Sequence, residues 1–170
     1  MTRAAEQLQT KPKTILVMAG GTGGHVFPAL AVAHKLQQLG WQVQWLGTEQ
    51  GIEARVVTQA NIPINYIRVA GLRGKGLRRR LLAPFQLITA LLQSLSVVSK
   101  IKPACVLGMG GFASGPGGLA AWLLRRPLVI HEQNAVAGMT NRILSRVADR
   151  VLAAFPGAFG KKSLACSYGC

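Results

Sequence analysis

Thr14-Ile15-Leu16-Val17-Met18-Ala19 runs directly into Gly20-Gly21-Thr22-Gly23-Gly24-His25, and this junction decides the fold. The first half is an unbroken β-prone run without polar alternation, as expected of a strand buried on both faces of a parallel sheet. The glycines after it let the backbone turn tightly and approach a ligand closely. A helix is expected next, from about Val26 to Leu39, with Leu30, Val32, Ala33, Leu36 and Leu39 facing inward and Gly40 ending it. The free N–H groups at the start of such a helix attract anions.

Moving outward, the same alternation of short β-rich runs and longer helical ones continues. Strands are expected at Gln42–Leu46, Ile62–Val69, Ala104–Leu107, Pro127–His131 and Val151–Ala154, and helices at Gly51–Ala60, Leu81–Ile101, Leu119–Leu124 and Gly138–Val147. Pro84 is placed in the first turn of the long helix, where proline is tolerated, and Pro103 marks its end. Ala70–Arg80 reads as a glycine- and arginine-rich loop, and Gly108–Gly118 as a second glycine loop after the fourth strand. Six strands joined by right-handed crossovers make an α/β, Rossmann-like, doubly wound parallel sheet. One domain over residues 14–159 is expected, with a flexible tail at 1–13 and a disordered one at 160–170. Met1–Lys13 has no apolar core of the kind a secretory signal needs.

The charge is lopsided. Twenty Lys and Arg face five acids (Glu6, Glu49, Glu53, Glu132 and Asp149), a net charge of +15 over 170 residues, with no acid between Glu53 and Glu132. Such a surface favours an anionic partner: nucleic acid, anionic lipid headgroups or a phosphorylated substrate. The charge supports a basic nucleic-acid- or membrane-binding module without catalysis as the alternative reading, but only 6% of residues are aromatic and no nucleic-acid recognition motif is present. Cys105, Cys166 and Cys170 have no metal-ligand spacing, and Cys105 in its apolar run reads as a buried thiol in a reducing compartment. No metal and no cofactor is expected.

Neither glycine loop fits the familiar phosphate motifs. Gly21-Thr22-Gly23-Gly24-His25-Val26 fails the last position of G-x-G-x-x-G, and no G-x-x-x-x-G-K-[ST] occurs, which disfavours a dinucleotide oxidoreductase and a P-loop NTPase. Gly20–Ala31 (GGTGGHVFPALA), Gly71–Gly76 (GLRGKG), Gly108–Pro116 (GMGGFASGP), His131–Asn134 (HEQN) and Ala154–Phe159 (AFPGAF) together, in this order, resemble the signatures of the MurG family of peptidoglycan glycosyltransferases. The likeness runs from about Thr14 to Phe159.

That resemblance implies the N-terminal domain of a GT-B enzyme, in which two Rossmann-like domains face a cleft. It implies transfer of N-acetylglucosamine from UDP-N-acetylglucosamine to the muramyl 4-hydroxyl of lipid I, inverting and metal-independent, at the cytoplasmic face of the bacterial plasma (inner) membrane. It assigns donor contacts to Thr22, Gly23, Gly24 and Asn134. The acceptor diphosphate is expected at Gly110, Gly111, Ser114 and Gly115, where backbone donors and a hydroxyl suit a diphosphate without a metal. His25, at a helix N-terminus that disfavours imidazolium, is the candidate catalytic base, or else a structural histidine bonding the loop backbone. Asn134 could equally cap the turn before Gly138, and His131 and Glu132 could orient or pack rather than touch substrate. After Phe159 the likeness stops and the donor-binding half is not among these residues, so these 170 residues alone are expected to be inactive.

Arg73, Lys75, Arg78, Arg79 and Arg80 precede the long helix, on which Leu81, Phe85, Ile88, Leu92 and Leu95 share one face. That greasy face, rimmed by cations and joined by Trp122 with Arg125 and Arg126, reads as a peripheral contact with an anionic membrane, or else as an ordinary core helix beside a solvated charge run. The uncharged stretch Leu81–Ser99, with its proline, glutamines and serines, reads as a poor span.

Overall fold

A computed structural model describes residues 12–68 and 77–160, with the backbone alone over 77–83. The strands are β1 (Thr14–Met18), β2 (Gln42–Gly47), β3 (Ile64–Tyr66), β4 (Cys105–Gly108), β5 (Leu128–Glu132) and β6 (Arg150–Ala153). The helices are α1 (Gly23–Gln38), α2 (Ile52–Gln59), α3 (Leu77–Ile101), α4 (Ser114–Leu123) and α5 (Met139–Leu144). All strands are parallel, in the order β3-β2-β1-β4-β5-β6. This is the expected doubly wound sheet, with its order reversing between β1 and β4.

Side-chain alternation along β1 sorts the core into two layers. Ile15 and Val17 point to one face, where Val26, Ala29, Leu30 and Ala33 of α1 and Val57 of α2 cover them. Leu16 and Met18 point to the other, against Val98 of α3, Ala120 and Ala121 of α4 and Leu144 of α5. Burial on both faces is why β1 shows no polar alternation. Cys105 flanks the first layer half-buried, and burial pushes its thiol pKa up, as expected of an unreactive cysteine.

β3 is shorter than expected, Ile64–Tyr66, α5 ends at Leu144 rather than Val147, and three helix starts move by three residues or more. α1 begins at Gly23, so both glycines and His25 lie in its first turn rather than before it. α4 begins at Ser114, so the second half of the expected Gly108–Gly118 loop is helical. Glycine lowers helix propensity and concealed this start. Here a side chain on Gly117 would strike Met18 and Leu46 at 2.4 and 2.5 Å, so the glycine is what lets α4 lie close on the sheet. α3 begins at Leu77, which places Pro84 inside the helix and not in its first turn. The expected tails and the Ala70–Arg80 loop fall largely outside the described residues.

Candidate functional site

β1, β4 and β5 are neighbours, so the segments leaving their carboxyl ends meet at one edge, flanking the point where strand order reverses. Ligands of open α/β sheets bind in that crevice. The two glycine segments touch there. The Gly20 N–H donates to the Gly110 carbonyl oxygen (3.3 Å), and the Met109 N–H to the Met18 carbonyl oxygen (2.8 Å). Gly110 and Gly111 adopt φ of 103° and 92°, and a Cβ on Gly111 would lie 2.2 Å from the Gly20 carbonyl oxygen. Only glycine fits such a contact. α1 and α4 both start at this crevice, so their unpaired N–H groups share one anion-attracting locus.

His25 stands between the loops, half-buried. A Cβ on Gly110 would meet its ring at 2.8 Å, so the absence of a side chain there is what seats the imidazole. Its Nδ1 is in close contact with the amide nitrogen of Gln133, which also donates to the Met109 carbonyl oxygen (2.9 Å). Thr22 and Gly24 are exposed beside it and Gly23 half-buried. Phe27 and Phe112, both exposed, wall the first loop at Gly23 and Gly21.

Two buried carboxylates hold these segments. Glu53, fully buried, accepts from the N–H of Gly21 (3.0 Å) and from the N–H and hydroxyl of Thr48 (3.0 and 2.8 Å). Glu132, also fully buried, accepts from the N–H and amide of Asn134 (3.0 and 2.8 Å), the Gly138 N–H (3.1 Å) and the Asn141 amide (2.9 Å). Burial opposes its charge, but these hydrogen bonds outweigh it and hold the carboxyl below its ordinary value. Glu132 is therefore the brace of the HEQN segment, the orienting alternative left open above. Asn134, bound to it through its amide, stays exposed at the edge.

The sequence reading needs one correction among the expected site residues. Ser114 is fully buried, its hydroxyl lying 2.9 Å from the Met18 carbonyl oxygen and 2.8 Å from that of Gly110. A hydroxyl committed to the backbone is a clamp between β1 and the second glycine segment, and is unavailable to a diphosphate. Gly111 and Gly115 remain half-buried with backbone donors at the crevice, while Gly110 is buried beneath His25. The sequence reading missed the brace at Glu53 and the contact of Gln133 with His25. Glu53 was visible only as one of five acids, and Gln133 only as part of HEQN.

On the α3–α4 side lies the second expected surface. Phe85 (67% exposed), Ile88 (55%) and Leu92 (61%) face outward, while Ala90, Ser94 and Val98 are buried. Trp122 is 49% exposed on α4, against which α3 packs. Pro84–Ile101 has a mean hydropathy of 1.2 and is long and apolar enough to cross a membrane by length and composition alone, a test that a core helix also passes. Its inner side nevertheless adds Val98 to the core, and its end leads directly into β4. Arg73 and Lys75 lie outside the described residues, and Arg78, Arg79, Arg80 and Leu81 are described in backbone only.

Comparison with known proteins agrees with this geometry. The model of the glycosyltransferase family 28 N-terminal domain matches residues 15–153. A UDP-N-acetylglucosamine–N-acetylmuramyl-(pentapeptide) pyrophosphoryl-undecaprenol N-acetylglucosamine transferase of Alkalilimnicola ehrlichii is 65% identical over 84% of the chain and 40% of that protein. Its namesake from Vibrio cholerae is 57% identical over 92% of the chain and 44% of its own length. The crystal structure of Acinetobacter baumannii MurG superposes with a TM-score of 0.80 at 51% identity, covering 91% of this chain and 44% of that one. The chain thus spans about two-fifths of the length of these relatives.

Proposed function

Since the chain belongs to glycosyltransferase family 28 through its N-terminal domain, we propose that it is the acceptor-binding half of a hexosyltransferase of peptidoglycan synthesis. The reaction is transfer of N-acetylglucosamine from UDP-N-acetylglucosamine to the muramyl 4-hydroxyl of lipid I, at the cytoplasmic face of the bacterial inner membrane. The observation that carries this reading is the meeting of both glycine segments over His25 at the reversal of strand order.

An inverting sugar transfer needs a partner for the attacking hydroxyl and relief for the negative charge of the departing diphosphate. His25 is assigned to the reacting oxygen, as its base if the accessible ring nitrogen carries no hydrogen. Thr22, Gly23, Gly24 and Asn134 are assigned to the donor, whose nucleotide is held by the second half of such enzymes. Gly111 and Gly115 are assigned to the acceptor diphosphate, through the helix start and backbone N–H groups rather than the Ser114 hydroxyl, while Gly110, buried beneath His25, seats the imidazole. No step calls for a metal or an organic cofactor.

The exposed face of α3, with Trp122 and the preceding arginines, is assigned to the membrane that carries the acceptor, and nucleic acid is not the partner. The exposed apolar side chains of α3, together with the basic run at its start in the sequence, favour an interfacial contact over a nucleic-acid groove, which would need stacking side chains along a basic track.

The test is kinetic. In the transferase formed when this chain is continued by a donor-binding half, His25→Ala is expected to lower turnover at least ~100-fold, the lower end of what general acid–base groups contribute, while sparing UDP-sugar affinity. Near-normal turnover would overturn the assignment of His25.

A further inference from the structure

We propose that Gln133 sets the tautomer of His25, so that the neutral ring offers Nε2–H, a hydrogen-bond donor, to the crevice. This deepens the transfer reading and depends on it only for which oxygen receives the hydrogen bond.

Gln133 follows β5 and reaches to the carboxyl end of β4. Its amide nitrogen lies 2.9 Å from the Met109 carbonyl oxygen and in close contact with His25 Nδ1, so its two hydrogens have two acceptors. Turning the amide over would set Oε1 against the Met109 carbonyl oxygen, acceptor against acceptor. It would also move the two amide hydrogens into the buried position now held by Oε1, which has no partner there. The Met109 carbonyl therefore fixes the amide, and the amide fixes the ring. With Nδ1 accepting, a neutral imidazole carries its hydrogen on Nε2. Nε2 has no partner among the described residues, and His25 is only half-buried at the crevice.

A ring in this state cannot accept a proton at its accessible nitrogen. It can donate to an oxygen on which negative charge grows, as an oxyanion donor does. Gln133 is thus a positioning residue, acting through His25, and it converts the expected base into a donor.

The experiment is two-bond 1H–15N correlation on the 15N-labelled chain at a pH where His25 is neutral. Expected in the unmodified chain are a protonated Nε2, an unprotonated Nδ1 and a scalar coupling across the N–H···N bond to the Gln133 amide. A free imidazole already favours Nε2–H, so the decisive variant is Gln133→Glu. At a pH where the introduced carboxyl is ionised and the ring is neutral, the carboxylate can only accept, so the hydrogen should move from Nε2 to Nδ1. Retention of Nε2–H in Gln133→Glu overturns the proposal. So does a protonated Nδ1, or a missing coupling, in the unmodified chain, which needs no variant to fold. None of these readings involves turnover, so failure of the tautomer assignment and failure of the transferase reading are separately visible.

Discussion

Of the five acids in the chain, Glu53 and Glu132 are fully buried, and each gathers backbone N–H groups from a segment at the carboxyl edge of the sheet. A carboxylate suits this work because it accepts several hydrogen bonds and its charge is stabilised by each. Replacing Glu132 with alanine strands the donors of Asn134, Gly138 and Asn141, and should cost roughly 2–4 kcal/mol by urea denaturation, as unsatisfied buried groups do. The pH dependence has a defined sign. The folded-state pKa lies below the ordinary 4.5, so the stabilisation is complete above that value and is lost as pH falls through the depressed one. Glu132→Gln should therefore flatten the acid limb of the stability profile, and an unchanged limb would place the acid sensitivity elsewhere. An orienting role for Glu132 was one of the readings open in the chain, whereas the brace at Glu53 could not be read from it. Glu53 reaches a loop 32 positions away, and nothing local distinguishes it from an acid stabilising its own helix start.

Among the elements, α3 and α4 both start earlier than their sequence outlines, for opposite reasons. α4 was shortened because its glycines argue against a helix, yet those glycines allow its contact with Met18 and Leu46. α3 was readable as a long apolar helix, but its periodicity could not say which side would be covered. The structure buries Ala90, Ser94 and Val98 and leaves Phe85, Ile88 and Leu92 outward. If that outer face meets the bilayer, Phe85→Ser with Ile88→Ser should weaken sedimentation with vesicles containing anionic lipid, with little change in stability because both side chains are already solvated. Each basic residue at an anionic surface contributes on the order of 1 kcal/mol, so binding to neutral vesicles should be weaker still. Equal binding to both kinds of vesicle would remove the electrostatic part.

Over the whole molecule the charge asymmetry is sharper than the composition states. Two of its five acids are withdrawn into the interior, so fewer carboxylates face solvent to offset twenty Lys and Arg. The chain spans about two-fifths of its relatives' length. These 170 residues assayed alone with lipid I and UDP-N-acetylglucosamine should give no measurable transfer, and fusion to a donor-binding half from a relative should restore it. Transfer by the unfused chain would refute the division of labour between halves.

By itself the sequence determined the layer architecture, the parallel sheet and the two glycine segments, because these rest on local periodicity and on glycine at strand ends. Its ordered motifs also carried the family. Only the tertiary structure decided that Ser114 clamps backbone, that Glu53 and Glu132 brace the crevice, and that Gln133 rather than solvent faces His25 Nδ1. Each of these depends on which polar group is buried next to which donor, and that partnership exists only once distant strands lie side by side.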